Sequence, residues 1–192
     1  MEAWVPGPFL SLIIPAHNEE KRLPDTLQQV LNFLSTQSYP YEVLVVENAS
    51  QDRTWQVAQE FAGRHPQLRV MQCPQRGKGL AVRHGMLAAN GEYRFMCDAD
   101  LSMPVSEIDR FLPPVLNGVD IAIASREAPG AVRYQEPIYR HLIGRAYNGL
   151  TRLLTLPGLQ DTQCGYKCFR GAVVDKLFSY QTLGGWSFDV EI

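Results

Sequence analysis

Asp98 and Asp100 stand one residue apart at the end of the apolar run Phe95-Met96-Cys97, and Leu101-Ser102-Met103-Pro104 then breaks the pattern. A buried strand that runs into Asp-x-Asp sets two hard oxygen donors at the mouth of a sheet. Strand alternation sends both carboxylates to one side while Ala99 faces away. Two such groups repel, so the pair calls for a cation. Oxygen donors of this kind suit Mg²⁺ or Mn²⁺, which commonly bridge to substrate phosphates. Taken alone, the pair reads more readily as two solvated acids in a turn; the rest of the chain reverses that reading. His17-Asn18-Glu19 and Glu47-Asn48-Ala49-Ser50 also follow apolar runs, and they offer donors and acceptors for a base and a ribose. Arg76-Gly77-Lys78-Gly79 opens the next helix with two cations and a helix N-terminus, a combination that favours phosphate or another anion. The Walker pattern is absent, and no G-x-G-x-x-G follows the first strand, so neither an ATPase nor a dinucleotide-binding enzyme fits.

The elements that must carry these groups alternate. Phe9 to Ile14, closed by Pro15, reads as a buried strand. A helix follows with Pro24 in its first turn and Leu23, Leu27, Val30, Leu31 and Leu34 on one face. Tyr41 to Val46 is a second buried strand. Ser50 or Asp52 can cap the helix bearing Trp55, Ala58, Phe61 and Ala62. Leu68 to Gln72 is a third strand, and Gly79 to Asn90 a helix with a small-residue face of Ala81, Gly85, Ala88 and Ala89. Tyr93 to Cys97 is the fourth strand, Pro104 or Ser106 opens another helix through Phe111 to Val115, and Val119 to Ala124 is a fifth strand. Continuous apolar strands spaced by helices predict an α/β domain with a mostly parallel sheet covered on both faces. In such sheets ligands sit beyond the carboxyl ends of the strands, so the three polar clusters converge on one edge.

A chain of 192 residues fits one domain with a full core, and 45% hydrophobic with 20% charged residues is ordinary for a globular protein. A net charge of −2 gives no support to a nucleic-acid partner. Cys73, Cys97, Cys164 and Cys168 form no C-x-x-C pair and read as reduced thiols of a cytosolic setting; Cys164 and Cys168 lack the second ligand pair a zinc site needs. Met1 to Pro8 has neither the basic start nor the apolar core of a signal peptide, and no run of about 18 apolar residues spans a bilayer. The chain stops within the pattern Phe188-Asp189-Val190-Glu191-Ile192, so the expectation is a domain over residues 1–192 truncated at its C-terminus, with a membrane segment able to follow.

Leu12 to Glu20, Val45 to Thr54, Gly77-Lys78-Gly79 and Asp98-Ala99-Asp100, in this order and spacing, resemble family 2 glycosyltransferases of the GT-A fold, a Rossmann-like nucleotide-diphospho-sugar transferase architecture. Asp161-Thr162-Gln163-Cys164-Gly165-Tyr166-Lys167 and Trp186 to Glu191 look like the polyprenyl-phosphate branch, particularly dolichyl-phosphate β-glucosyltransferases. The resemblance implies an inverting, metal-dependent transfer of a hexose, glucose by preference, from UDP- or GDP-hexose to polyprenyl phosphate at the cytoplasmic face of a membrane. Carried over by position, Pro15, Ala16, His17, Asn18, Glu19, Glu47 and Asn48 would hold base and ribose. Asp98 and Asp100 would hold the metal on the diphosphate, with Ala99 and Lys78 nearby. The family often has two aspartates and a glycine where this chain has Glu47-Asn48-Ala49. Asp161 and Asp100 are the expected catalytic carboxylates, Asp161 as a base or an orienting group on the acceptor side.

Residues 137–156 carry Ile138, Leu142, Ile143, Ala146, Tyr147, Leu150, Leu153 and Leu154 at helical spacing, with Arg140, Arg145 and Arg152 among them. The segment reads either as a structural helix with a solvated basic face or as a membrane-surface helix laying its apolar side on lipid. In the resembled family this region lies by the acceptor, so Arg140 and Arg145, with Arg126 beyond the fifth strand, would grip the lipid phosphate, which a guanidinium fork suits. Two other readings compete: the same fold with a sugar-hydroxyl acceptor, as in polysaccharide synthesis, and a catalytically silent nucleotide-sugar binding module.

Overall fold

The computed structural model describes residues 7–126, 128 and 161–192. The first half alternates as its apolar runs dictate: β1 (Leu10–Ala16), α1 (Leu23–Ser35), β2 (Tyr41–Asn48), α2 (Thr54–Ala62), β3 (Leu68–Cys73), α3 (Lys78–Ala88) and β4 (Tyr93–Met96). After a short 3₁₀ helix (Val105–Phe111) come β5 (Ile121–Ile123), β6 (Lys167–Arg170), α4 (Gly171–Tyr180) and α5 (Phe188–Glu191).

The strands form one six-stranded sheet in the order β3-β2-β1-β4-β6-β5. β1 pairs in parallel with both β2 and β4, and β2 in parallel with β3. Strand order therefore reverses between β1 and β4, the crevice where open α/β sheets bind ligands. Alternation in β1 sends Leu10, Leu12 and Ile14 into one core with α1, and Ile13 into the other with α3. Both faces are covered, as the continuous apolar strands require. The small face of α3 permits its close approach: a Cβ on Gly85 would lie 2.5 Å from Ile13 Cγ2. Pro15 sits in a central strand without costing a ladder bond. The β1–β4 pairing stops at Ile13↔Met96, and Pro15, two residues on, points to the side where β4 has already left the sheet.

Two sequence expectations are corrected. The stretch through Val115 is not an α-helix; it is a 3₁₀ turn ending at Phe111, because Leu112-Pro113-Pro114 disfavours helical backbone and removes amide donors. The fifth strand is a three-residue edge strand with Ile121 38% exposed, not a buried parallel one. Among the described residues it reaches the sheet through β6, which the sequence did not announce and which runs antiparallel to both β4 and β5. The expected amphipathic helix over 137–156 lies outside the described residues. Among those described, no helix is long and apolar enough to cross a membrane.

Candidate functional site

The loops leaving β1 and β2 are laced together by side chains. Asn18 N–H donates to Ser50 Oγ (3.1 Å), and Gln51 N–H donates to Asn18 Oδ1 (2.8 Å). Glu19 N–H donates to Thr54 Oγ1 (2.8 Å), Glu20 N–H to Asp52 Oδ2 (3.1 Å), and Arg53 N–H to Glu20 Oε2 (3.0 Å). Asp52 also accepts from Thr54 N–H at 2.9 Å, so it satisfies the first amide of α2 as its sequence position promised, although Arg53 occupies the N-cap position. His17 Nδ1 lies 2.6 Å from the Asn48 carbonyl and its Nε2 lies 3.2 Å from Asn18 Nδ2. One neutral tautomer serves both contacts: Nδ1–H donates to the carbonyl, and Nε2 accepts from the amide.

Asn48 is buried and spoken for at both ends of its amide. Its Nδ2 donates to the Cys73 and Gln75 carbonyls (3.2 and 2.6 Å), and its Oδ1 accepts from Gly77 N–H (2.8 Å). It fixes the turn that delivers Lys78. Glu47 is also buried, with Oε1 accepting from Ser50 N–H. Ala16 lies buried at the end of β1, and the Ala99 carbonyl accepts from Thr26 Oγ1 of α1 at 2.6 Å.

Three non-glycine residues adopt left-handed backbone among the described residues, and each follows a strand at this edge: Asn18 (φ 55°), Ala49 (φ 51°) and Leu101 (φ 44°). Such backbone costs an alanine about 1–2 kcal/mol. Glycine's greater freedom in the unfolded chain offsets part of that cost. Ala49→Gly should therefore raise stability by about 0.5–1 kcal/mol and the melting temperature by about 1–4 °C, read by thermal unfolding.

At the end of β4, Asp98 Oδ1 lies 2.8 Å from Lys78 Nζ. Its other oxygen is pressed against Gly165, where a Cβ would stand 2.1 Å from Oδ2. Asp100 Oδ1 accepts from Ser102 N–H (3.0 Å). β6 runs antiparallel to β4, so the residues entering it, 161–166, return to the same edge. There Arg126 forks onto Asp161, Nε to Oδ2 at 2.8 Å and Nη2 to Oδ1 at 3.0 Å, and the Arg126 and Gln163 amides donate to the same carboxylate at 3.1 Å each. Burial works against the charge of Asp161, but the hydrogen bonds from Arg126 and Gln163 outweigh it and hold the carboxyl below its ordinary range. A depressed value stabilises the fold above the unfolded pKa near 3.8, and that contribution disappears as pH falls through the folded value. Asp161→Asn should accordingly be less stable than the parent at pH 7, with the gap closing below about pH 4 in urea titrations.

The expected anion site at the N-terminus of α3 is corrected by the structure. Gly79 N–H donates to the Gly185 carbonyl (3.3 Å) and Leu80 N–H to the Gly184 carbonyl (3.2 Å). These first-turn amides are capped by the chain itself, so the side chains of Lys78 and Arg76, not the helix amides, are the cationic groups offered to an anion. Sequence reading placed Gly165, Trp186, Lys167 and Asp189 within family motifs but gave none of them a role, and it did not foresee the buried Lys167–Asp189 pair. The four described cysteines are free and buried, and burial pushes Cys97 and Cys168 up to about 12, as inert structural thiols. Arg140 and Arg145 lie outside the described residues.

The donor set fits a hard divalent cation. Among the described residues no cluster of three or more His, Cys, Asp or Glu exists. Two carboxylates leave the remaining positions to phosphate oxygens and water, the arrangement Mg²⁺ and Mn²⁺ favour on nucleotides. The missing Cβ of Gly165 is what lets Asp98 stand at this mouth.

The sequence model described as glycosyl transferase family 2 matches residues 11–178. The chain belongs to that family. Its sequence is 36% identical to dolichyl-phosphate beta-glucosyltransferase of Drosophila melanogaster over 202 residues, 97% of this chain and 62% of that protein. The Homo sapiens protein of the same name is 32% identical, with the same coverage, and the Saccharomyces cerevisiae one 30%, over 96% of this chain and 61% of its own length. The chain thus spans about three-fifths of the length of these relatives. In structure it resembles glucosyl-3-phosphoglycerate synthase from Mycobacterium tuberculosis in complex with Mn²⁺, UDP-glucose and phosphoglyceric acid (TM-score 0.68, 19% identity, 96% of this chain and 63% of that one). It also resembles the mannosyltransferase PcManGT from Pyrobaculum calidifontis in complex with GDP-mannose and Mn²⁺ (TM-score 0.56, 21% identity, 90% and 47%). The fold is GT-A, as the motif order implied.

Proposed function

We propose that this family 2 domain transfers a hexose, glucose by preference, from a nucleotide-sugar to polyprenyl phosphate, with inversion, at the cytoplasmic face of a membrane. The observation that carries the reading is the meeting, at one sheet edge, of the Lys78–Asp98 pair, Asp100 and the Arg126–Asp161 fork. The names of the relatives point to the same reaction. Glu19 and Glu47 take the base and ribose, on loops that His17 and Asn18 lace together through both of their polar ends; Asn48, with both amide ends engaged, acts by placing the Gly77–Lys78 turn. Asp98 and Asp100 would hold Mg²⁺ or Mn²⁺, which when bound would supply Lewis-acid stabilisation to the departing diphosphate. Lys78 adds an ammonium to the same leaving group.

A phosphate oxygen of the acceptor attacks the anomeric carbon as the bond to the diphosphate breaks. Lipid phosphate is already ionised at pH 7, so it needs positioning more than a base. Asp161 meets that need: with its pKa held down it is a weak proton acceptor, and it serves to aim the Arg126 guanidinium, 42% exposed, at the acceptor phosphate. This favours the phosphate acceptor over the sugar-hydroxyl alternative. The family resemblance assigns Arg140 and Arg145 to the same phosphate, and with it residues 137–156 to the lipid surface rather than to a purely structural helix.

The test is incubation with radiolabelled UDP-glucose, UDP-galactose or GDP-mannose, polyprenyl phosphate and Mn²⁺, then organic extraction. Label in the organic phase, greatest with one donor, is expected. Label confined to water with every donor, in a chain that binds nucleotide-sugar, would sink the lipid acceptor.

A further inference from the structure

We propose that the indole of Trp186 is the platform on which the donor's hexose ring stacks. The inference rests on the donor-site reading above and extends it to a residue to which that reading gives no role.

The segment 181–187 is strapped across the start of α3. Gln181 Nε2 donates to the Gly79 and Leu183 carbonyls (2.9 and 2.8 Å). Glu191 accepts from Thr182 N–H and Leu183 N–H at 2.8 and 2.7 Å. The Gly184 and Gly185 carbonyls receive the α3 amides, and a Cβ on Gly77 would strike the Gly184 oxygen at 2.3 Å. Behind the strap, Asp189 is held by buried Lys167 of β6. A segment pinned at this many points presents its one aromatic side chain in a fixed place. Yet Trp186 is 70% exposed. A large apolar ring held rigidly in water is the signature of a binding surface rather than of packing.

Its position names the ligand. Across the sheet edge the order is β2, β1, β4, β6. Base and ribose are assigned to the ends of β2 and β1, and the diphosphate to Asp98 and Lys78 at β4. The next group along a nucleotide-sugar falls on the β6 side, where the strap is anchored. Lys78 Nζ lies 2.8 Å from Asp98 Oδ1 and 4.9 Å from the centre of the Trp186 ring. The ammonium thus stands over one face of an indole that is still 70% exposed. The C–H face of a pyranose is the apolar surface that an aromatic plane of this size accepts.

The test compares nucleotide-sugar with bare nucleotide, by calorimetric titration in Mn²⁺ of UDP-glucose against UDP and of GDP-mannose against GDP. Trp186→Ala should bind the nucleotide-sugar about tenfold more weakly while its affinity for the nucleoside diphosphate stays within about twofold. Trp186→Phe should recover most of the loss. Equal losses for both ligands would place the indole on the nucleotide and overturn the proposal. Unchanged affinity for both would overturn it as well. If the parent chain bound none of the four ligands, the donor reading itself would fall, and the platform with it.

Discussion

Gly165→Ala should lower turnover by about a hundredfold or more in a protein that still folds, because a displacement near 1 Å in a reacting constellation costs roughly that much. The added methyl would lie 2.1 Å from Asp98 Oδ2 and 2.6 Å from its Cγ. Asp98 cannot withdraw freely, since its other oxygen is tied to Lys78 at 2.8 Å. The methyl must therefore break that ion pair or push β6 away from β4. Steady-state rates, with circular dichroism to confirm the fold, check the outcome. A fully active Gly165→Ala would mean that Asp98 does not work from this position.

The second large effect concerns stability. Lys167 and Asp189 are among the few charged residues buried in the described part of the chain, and they pair with each other. Burial pushes Asp189 up and Lys167 down, and each partner's charge resists the shift. Removing one partner strands the other without solvent, so Asp189→Ala should cost about 3–5 kcal/mol in urea unfolding. Replacing both with apolar residues, Lys167→Met with Asp189→Leu, should return most of it, because the desolvation of two charges is then avoided. The cavity beside the pair is lined by Val82, Met96, Phe169, Phe178 and Phe188, so it accepts apolar substitutes. A single variant as stable as the parent would show that water reaches the pair.

Much of this was legible because long-range order followed local pattern. β1, β2 and β4 are apolar runs of the kind that only a doubly covered sheet produces, and their polar ends had one edge to share. Asp98 and Asp100 stood out for the same reason. β6 did not, since four residues beginning with a buried lysine carry no strand signal, and its antiparallel insertion depends on partners about 70 residues away. The pairing of Arg126 with Asp161 and the approach of Gly165 to Asp98 both follow from that insertion, so neither was readable in advance. The capping of α3 was hidden in another way: Gly77 and Gly79 suggested an open anion loop, whereas their missing side chains make room for Gly184 and Leu183.

The late strand also governs how the polypeptide emerges from the ribosome. Among the described residues, β4 has β1 on one flank only, and β5 has no partner, until residues 167–170 are synthesised. A nascent chain halted at residue 160 would carry an open hydrogen-bonding margin down the middle of its future sheet, a template for intermolecular pairing. Closing it requires a contact between distant parts of the chain, which is slow. Biogenesis of this fold therefore passes through an interval of exposure to aggregation, and that interval ends when β6 slides between its two neighbours.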